Sequence, residues 1–318
     1  MRPRAESPFG RPDSPTGQVR GGLSTRSPVT TLLRGLGQAR GESFGPDPHA
    51  LVSWVKKVYS ASMVFPIVHH LFHSWTGWPS EGAFPAEPPA AFFEAMAVAW
   101  KTDGLDLQSR AWTPEQIQMT FQAEPQVAPV FLAGRVKGRL QHALRQAGHP
   151  CEFSRKTAVR SLGDNRPAEV EGYLRKQAVR AELVDERYRA TLQAAGFEDA
   201  AVDLSTPSET TKGRYWYNLH LVAVTADRFR IGKEDFLDKV RAGAFAWAEE
   251  TGCRLKAFAP MPDHVHVAAR GDPERSPLGL AEALWRSLNR AAGCCLMGEN
   301  VYAGTFSEYG VGVVRRQT

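Results

Sequence analysis

Residues 260–270 read PMPDHVHVAAR, and 148 positions earlier residues 112–121 read WTPEQIQMTF. The two stretches share a turn-forming proline (Pro114, Pro262) ahead of an apolar run with polar residues at every second place. On a strand, residues two apart point to one face, so His264 and His266 present neighbouring imidazoles while Val265 faces the other way. In the earlier stretch Gln116 and Gln118 occupy those two places.

The correspondence extends outward without a gap. At the same offset Gly104 matches Gly252, Leu107 matches Leu255 and Ala111 matches Ala259; further on, Leu132, Ala133 and Leu140 match Leu280, Ala281 and Leu288. A constant offset over this span is the signature of an internal repeat. Each copy reads as strand, helix, two strands, helix, strand. In the first copy these are ASMVFPIVHHLF, PAAFFEAMAVAWKTDG, LDLQSRAW with EQIQMTF, VFLAGRVKGRLQHALRQAG, and residues 153–162. In the second they are YWYNLHLVAVTA, KEDFLDKVRAGAFAWAEETG, CRLKAFAP with DHVHVAAR, LGLAEALWRSLNRAAG, and the glycine-rich YGVGVVRR. Glycines past the last periodic residue close the helices. The predicted class is α+β: two tandem split-βαβ, ferredoxin-like halves, each an antiparallel sheet with its helices on one face. From Arg166 onward, RPAEVEGYLRKQAVRAELVDERYRATLQAAG reads as one long helix, with Pro167 in its first turn and Glu169 and Glu171 at its positive dipole end.

The predicted organisation is a basic disordered tail over 1–48, a first half over 49–177, a helical, acidic linker over 178–211 and a second half over 212–318. Net charges of these segments are +3, +3, −4 and +3, within a chain of net charge +5. Two mildly basic units fit an anionic partner such as nucleic acid. No apolar run reaches membrane-span length and the start lacks a secretory layout, so the reading is a cytoplasmic protein. Cys151, Cys253, Cys294 and Cys295 lack paired spacing and read as reduced thiols.

The MPDHVH stretch between a strand and a basic helix closely resembles the single-tyrosine transposases of the HUH superfamily, the TnpA-type enzymes and their repeat-associated relatives. PAEVEGYLRKQ, from Pro167 to Gln177, is similar to that family's tyrosine helix, and GRVKGRL, from Gly134 to Leu140, to its basic helix. Tyr173 and Gln177 lie four apart and share a helix face. The resemblance implies that His264, His266 and Gln177 hold a divalent metal, Mg²⁺ or Mn²⁺, and that Tyr173 is the nucleophile. It also implies single-stranded DNA with hairpin or palindromic ends as substrate, in a bacterial, nucleoid-associated setting. Each half is incomplete in a complementary way: the first has the tyrosine helix and a degenerate glutamine pair, the second the histidines. The expectation is therefore a monomer acting as an internal pseudo-dimer with one composite site. DNA contacts are expected from Arg135, Lys137, Arg139 and Arg145 of the first half and Arg286 and Arg290 of the second.

The alternative is a catalytically silent or domesticated hairpin-binding protein. A third reading, an unrelated metal hydrolase, needs an acidic group beside the histidines, and Asp263 is adjacent. Tyr302 and Tyr309 are competing nucleophiles, Trp112 and Trp216 candidates for base stacking, and His69, His70 and His73 a second cluster placed at a strand end.

Overall fold

In the computed structural model, residues 65–163, 165–180 and 186–310 are described, without the side chains of 177–180. The predicted tail over 1–48 and the YGVGVVRR strand fall wholly or mostly outside these residues.

The chain forms β1 (Ile67–His70), β2 (Phe72–Pro79), α1 (Ala90–Lys101), β3 (Leu105–Trp112), β4 (Ile117–Ala123), α2 (Pro129–Gln146), β5 (Phe153–Leu162) and α3 (Pro167–Arg180). It continues with α4 (Glu186–Ala195), β6 (Phe197–Glu198), β7 (Ser208–Thr210), β8 (Gly213–Trp216), β9 (Asn218–Thr225), α5 (Glu234–Thr251), β10 (Arg254–Pro260), β11 (His264–Arg270), α6 (Pro277–Ala292) and β12 (Met297–Thr305). The fold is α+β with two mixed six-stranded sheets, ordered β3-β4-β2-β5-β8-β7 and β1-β12-β9-β11-β10-β6. Within each, the four repeat strands (β3-β4-β2-β5 and β10-β11-β9-β12) follow the same order and pair antiparallel.

Local chemistry accounts for the elements. Ser276 caps α6 by accepting from the Gly279 N–H at 3.1 Å, and Pro277 occupies the first turn, where no N–H is needed. Gly252 and Gly293 end α5 and α6 at φ 71° and 73°, a left-handed conformation that disfavours a Cβ. In the first sheet Trp75, Phe121 and Ile117 are buried against Trp100 of α1 and Leu132, Val136 and Leu140 of α2. Each such side chain contributes about 1.5–3 kcal/mol on leaving water. α5 and α6 pack on each other and, between them, on β9, β10 and β12.

The purely antiparallel sheets of the sequence reading need correction. ASMVFPIVHHLF is not one strand: β1 ends at His70, and β2 continues past Leu71 in the other sheet. YWYNLHLVAVTA likewise breaks at Tyr217 into β8 and β9. β1 joins β12 in parallel, and β8 joins β5 in parallel, so each half adds a strand to the other's sheet. The exchange is reciprocal down to single hydrogen bonds. Thr305 Oγ1 accepts from Phe72 N at 2.9 Å, and Ser161 Oγ from Asn218 N at 3.2 Å. Val130 N donates to Pro273 O at 3.1 Å, and Leu278 N to Pro125 O at 2.8 Å, pairs related by the same 148-residue offset. Ser60–Thr318 accordingly form one compact unit.

Two further expectations differ. Residues 166–196 hold two helices, α3 and α4, rather than one, with 181–185 outside the described residues. The last described strand of the second half is β12, and YGVGVVRR lies mostly outside the described residues. Helices also do not keep to one face: α3 lies on β10 and β11 across from α5 and α6.

Candidate active site

β11 is the third strand of the second repeat and is buried along its whole length. His264, His266 and Ala268 alternate onto one face, and β9 pairs with β11 so that His220 lies opposite Ala268 and diagonal to His266. The facing positions of β10, Ala257 and Ala259, are small, and so is Gly304 of β12. This leaves room for a helix. α3 fills it, packing Val170 and Leu174 with Val202, Leu204, Ala257, Ala268 and Phe306, and Tyr173 lies half-buried against that cluster.

The helix brings Tyr173 from the first repeat beside the histidines of the second. Its ring meets His266 edge-on at 5.5 Å between centroids and His220 at 6.4 Å. His264 and His266 are 4.8 Å apart, ring to ring. His266 Nδ1 lies 3.0 Å from His220 Nε2, and the two rings stack at 15°. His264 Nδ1 is held by Asp263 Oδ1 at 2.7 Å, and Asp263 Oδ2 takes a bond from Arg228 at 3.0 Å. Tyr302 also borders the cluster, 6.1 Å from the His220 ring.

Electrostatics keep the inner rings neutral. Burial, then the neighbouring His264, pushes His220 down to about 4. Burial, then His264 and His220, holds His266 well below the ordinary imidazole range. Burial would raise Asp263, but the hydrogen bond and charge of His264, followed by those of Arg228, bring it down to about 2. A neutral His220 can accept from His266 Nδ1–H, which leaves the lone pair of His266 on Nε2. That nitrogen is buried without a partner. His264, its Nδ1 engaged by a carboxylate, likewise keeps Nε2 for another ligand. An imidazole braced by a carboxylate on its far nitrogen is the outer-shell arrangement of metal-binding histidines. The two rings therefore fit a divalent cation. Among the described residues no group of three or more His, Cys, Asp or Glu makes a complete metal site, and the side chain of Gln177 lies outside the described residues.

The predicted degenerate pair sits at the matching place in the first sheet. Gln118 Nε2 donates to Ser74 Oγ at 3.0 Å, where the second repeat has His266 and His220. Gln116 precedes β4 and is exposed in the turn, its N–H bonded to Thr113 Oγ1.

A sequence model of the family described as "Transposase IS200 like" matches residues 214–290. This transposase-like segment runs from β8 to α6 and so holds His220, Asp263, His264 and His266 but neither Tyr173 nor the first repeat. No curated protein matches the chain. Among solved structures, the ligand-free regulatory subunit of aspartate kinase from Thermus thermophilus aligns over 69% of this chain and 92% of its own, at 12% identity and TM-score 0.17. A score that low carries no argument.

Sequence reading missed three parts of the cluster: His220, the Asp263–Arg228 brace and the approach of Tyr302. His220 was legible in principle, since β9 neighbours β11 in the split-βαβ order and NLHL alternates. Asp263 engages His264 rather than standing free as an acid or base. Of the other histidines, His69 and His70 close β1, as expected of a strand end, His69 lying 3.8 Å from Glu124, and His73 is buried near the start of β2. Trp112 is part-buried and donates to Pro85 O at 2.9 Å.

The basic residues have local partners. Arg139 binds Asp103, with Nη2 to Oδ1 at 3.0 Å, and Lys137 donates to Ser154 O at 2.8 Å. Arg135 lies 3.7 Å from Asp103 and stacks on Phe131, while Arg145 is exposed. Arg286 and Arg290 make exposed pairs with Glu282 and Glu250, at 3.8 and 3.6 Å. Exposed pairs of this kind are weak enough to open for a phosphate. No described helix is long and apolar enough to cross a membrane.

Proposed function

We infer that this chain cleaves and rejoins single-stranded DNA at one composite site, with Tyr173 as nucleophile and two ferredoxin-like halves standing in for the subunits of a dimer. The observation that carries this reading is the edge-on approach of Tyr173, on a helix of the first half, to His266 of the second at 5.5 Å. The family match over the histidine-bearing segment supports the same class of chemistry.

Tyr173 Oη attacks phosphorus and forms a new P–O bond while the P–O3′ bond breaks. The phenol gives up its proton and the departing 3′ oxygen takes one up, leaving a 5′-phosphotyrosine and a free 3′-OH. Attack by a 3′-OH on that linkage reverses the exchange and rejoins strands, so phosphodiesters are traded without a nucleotide cofactor. His264 and His266, with Gln177 as third ligand, would hold a divalent cation, Mg²⁺ or Mn²⁺, whose charge when bound offsets that developing on the scissile phosphate. Asp263 and His220 orient the two rings. Hairpin or palindromic DNA is the expected substrate, steered by Arg135, Arg145, Arg286 and Arg290.

The test is a denaturing gel after incubation with end-labelled hairpin DNA and Mn²⁺ or Mg²⁺. A covalent protein–DNA band is expected, absent in Tyr173→Phe and in His266→Ala. An adduct surviving Tyr173→Phe moves the nucleophile to Tyr302 or Tyr309. Tight binding with no adduct under either metal leaves a silent hairpin-binding protein.

A further inference from the structure

In the second repeat the site face is covered by α3, whereas among the described residues no helix lies on the matching face of the first. That face holds a cavity of about 350 Å³ whose lining includes Trp78, Gln118, Arg160, Arg214, Trp216 and Tyr309. The strand register places them in one array. Gln118 pairs with Thr76, Thr76 with Ala158 and Ala158 with Arg214; in the next row Ser74 pairs with Arg160 and Arg160 with Trp216. Arg160 occupies the place that Gly304 holds on β12, each lying opposite the serine or histidine of its own pair. Where the active half has a glycine under Tyr302, this half has a guanidinium.

The groups form a set suited to a nucleotide. Arg160 lies over the Trp216 ring at 4.0 Å and the Tyr309 ring at 4.9 Å, and no ion pair engages it among the described residues. Trp216 is held in orientation by its Nε1–H bond to Ser205 O at 2.7 Å. Trp78 and Tyr309 remain 37% and 40% exposed, flat surfaces offered to solvent. Among the described residues Arg214 is paired only with the exposed Glu209, at 3.2 Å. Aromatic faces take bases of any sequence, guanidinium groups take the backbone phosphates, and an amide such as Gln118 reads a base edge. The volume lies in the range of sites for small ligands.

We propose that the histidine-free site of the first half is a non-cleaving pocket for single-stranded DNA, gripping one nucleotide while the composite site acts on another. The choice of DNA as ligand rests on the function inferred above. Its test measures equilibrium binding of a fluorescent hairpin with a single-stranded flank in EDTA, so that strand cleavage does not enter the readout. Trp216→Ala and Arg214→Glu should each weaken binding about tenfold, with Trp216→Phe recovering most of the loss. Photocross-linking with iodouracil in the flank should mark Trp216, Trp78 or Tyr309. Unchanged affinity in both variants, or cross-links confined to the histidine face, overturns the proposal. If the variants lose affinity but no adduct forms on wild-type protein with Mn²⁺, the pocket stands and the cleavage reading falls.

Discussion

Two residues carry predictions of their own. Asp263 touches His264 Nδ1 and is itself braced by Arg228, so it acts on any bound ion through the ring it holds. Asp263→Asn keeps the shape and removes the charge. The expected result is a 10–100-fold loss of Mn²⁺ affinity by calorimetry, a loss typical of outer-shell partners, with thermal stability little changed. Equal affinity in the variant would mean that the carboxylate plays no part in presenting the ring. His73 is a different case, because both of its ring nitrogens are buried without a partner and burial pushes its pKa down to about 4. The register that matches Phe121 to Ala269 puts Leu219 at the same place in the second repeat. An unfolded imidazole titrates near 6.5, so between pH 6.5 and 4 the unfolded chain binds the proton and the folded chain does not. Through His73, folding stability is thus at its full value above about pH 6.5 and declines as pH falls towards 4, by on the order of 3 kcal/mol. His73→Leu should gain about 1–3 kcal/mol at pH 7.5 by removing the unpaired polar atoms, and should flatten the acid limb. Urea unfolding at pH 7.5 and 5.0 checks both; a variant as acid-sensitive as wild type would refute the assignment.

At the scale of elements, the seating of α3 decides whether the two parts of the site meet. Its bed is a patch of small residues, and Ala268 is fully buried beneath it. Ala268→Leu adds three carbons where the helix has no space, an overpacking that costs about 1–3 kcal/mol. The strand keeps His264 and His266, so metal binding should persist, weakened only by the loss of Gln177 on the displaced helix, while adduct formation through Tyr173 should fall at least about tenfold. Loss of both together would mean that the sheet itself had collapsed, and unchanged adduct would mean that α3 is not what delivers the tyrosine. Much of this arrangement was legible in the sequence. β3 and β5 begin and end where alternation placed them, and α1, α2, α5 and α6 follow their apolar stripes to a closing glycine. β2 and β12 were not legible. FHSWTGWP mixes polar and aromatic residues and carries the glycine and proline of a turn, and MGENVYAGT breaks its alternation with a bulge between Met297 and Val301. The breaks at Leu71 and Tyr217 were hidden for another reason. What divides each run is a partner strand far away in sequence, and local pattern does not register that. For the site, the His264–His266 pair and Tyr173 could be read from spacing, whereas His220 needed the register between β9 and β11.

For the whole molecule the governing fact is reciprocity. β1 of the first half completes the second sheet, β8 of the second completes the first, and α3 covers a sheet that its own half does not build. Hydroxyls from Thr305 and Ser161 satisfy the first N–H of the other half's opening strand, so separating the halves would orphan both donors in a buried seam. Separation would also bare the apolar face that Ala257, Ala268 and Phe306 present to α3. Neither half should then fold alone, although each contains a complete set of four repeat strands. The prediction is that residues 60–206 and 207–318, made separately, are insoluble or lack cooperative unfolding. Made together, they should assemble one to one and recover the near-ultraviolet signal of the intact chain. The cut falls in the connection between β6 and β7, beyond the Leu204 that packs under α3 and before β8, so the mixture should also regain adduct formation. Independent folding of either fragment would show that the exchanged strands are accessory. Assembly without recovered activity would point to the connection itself as what holds Tyr173 against His266.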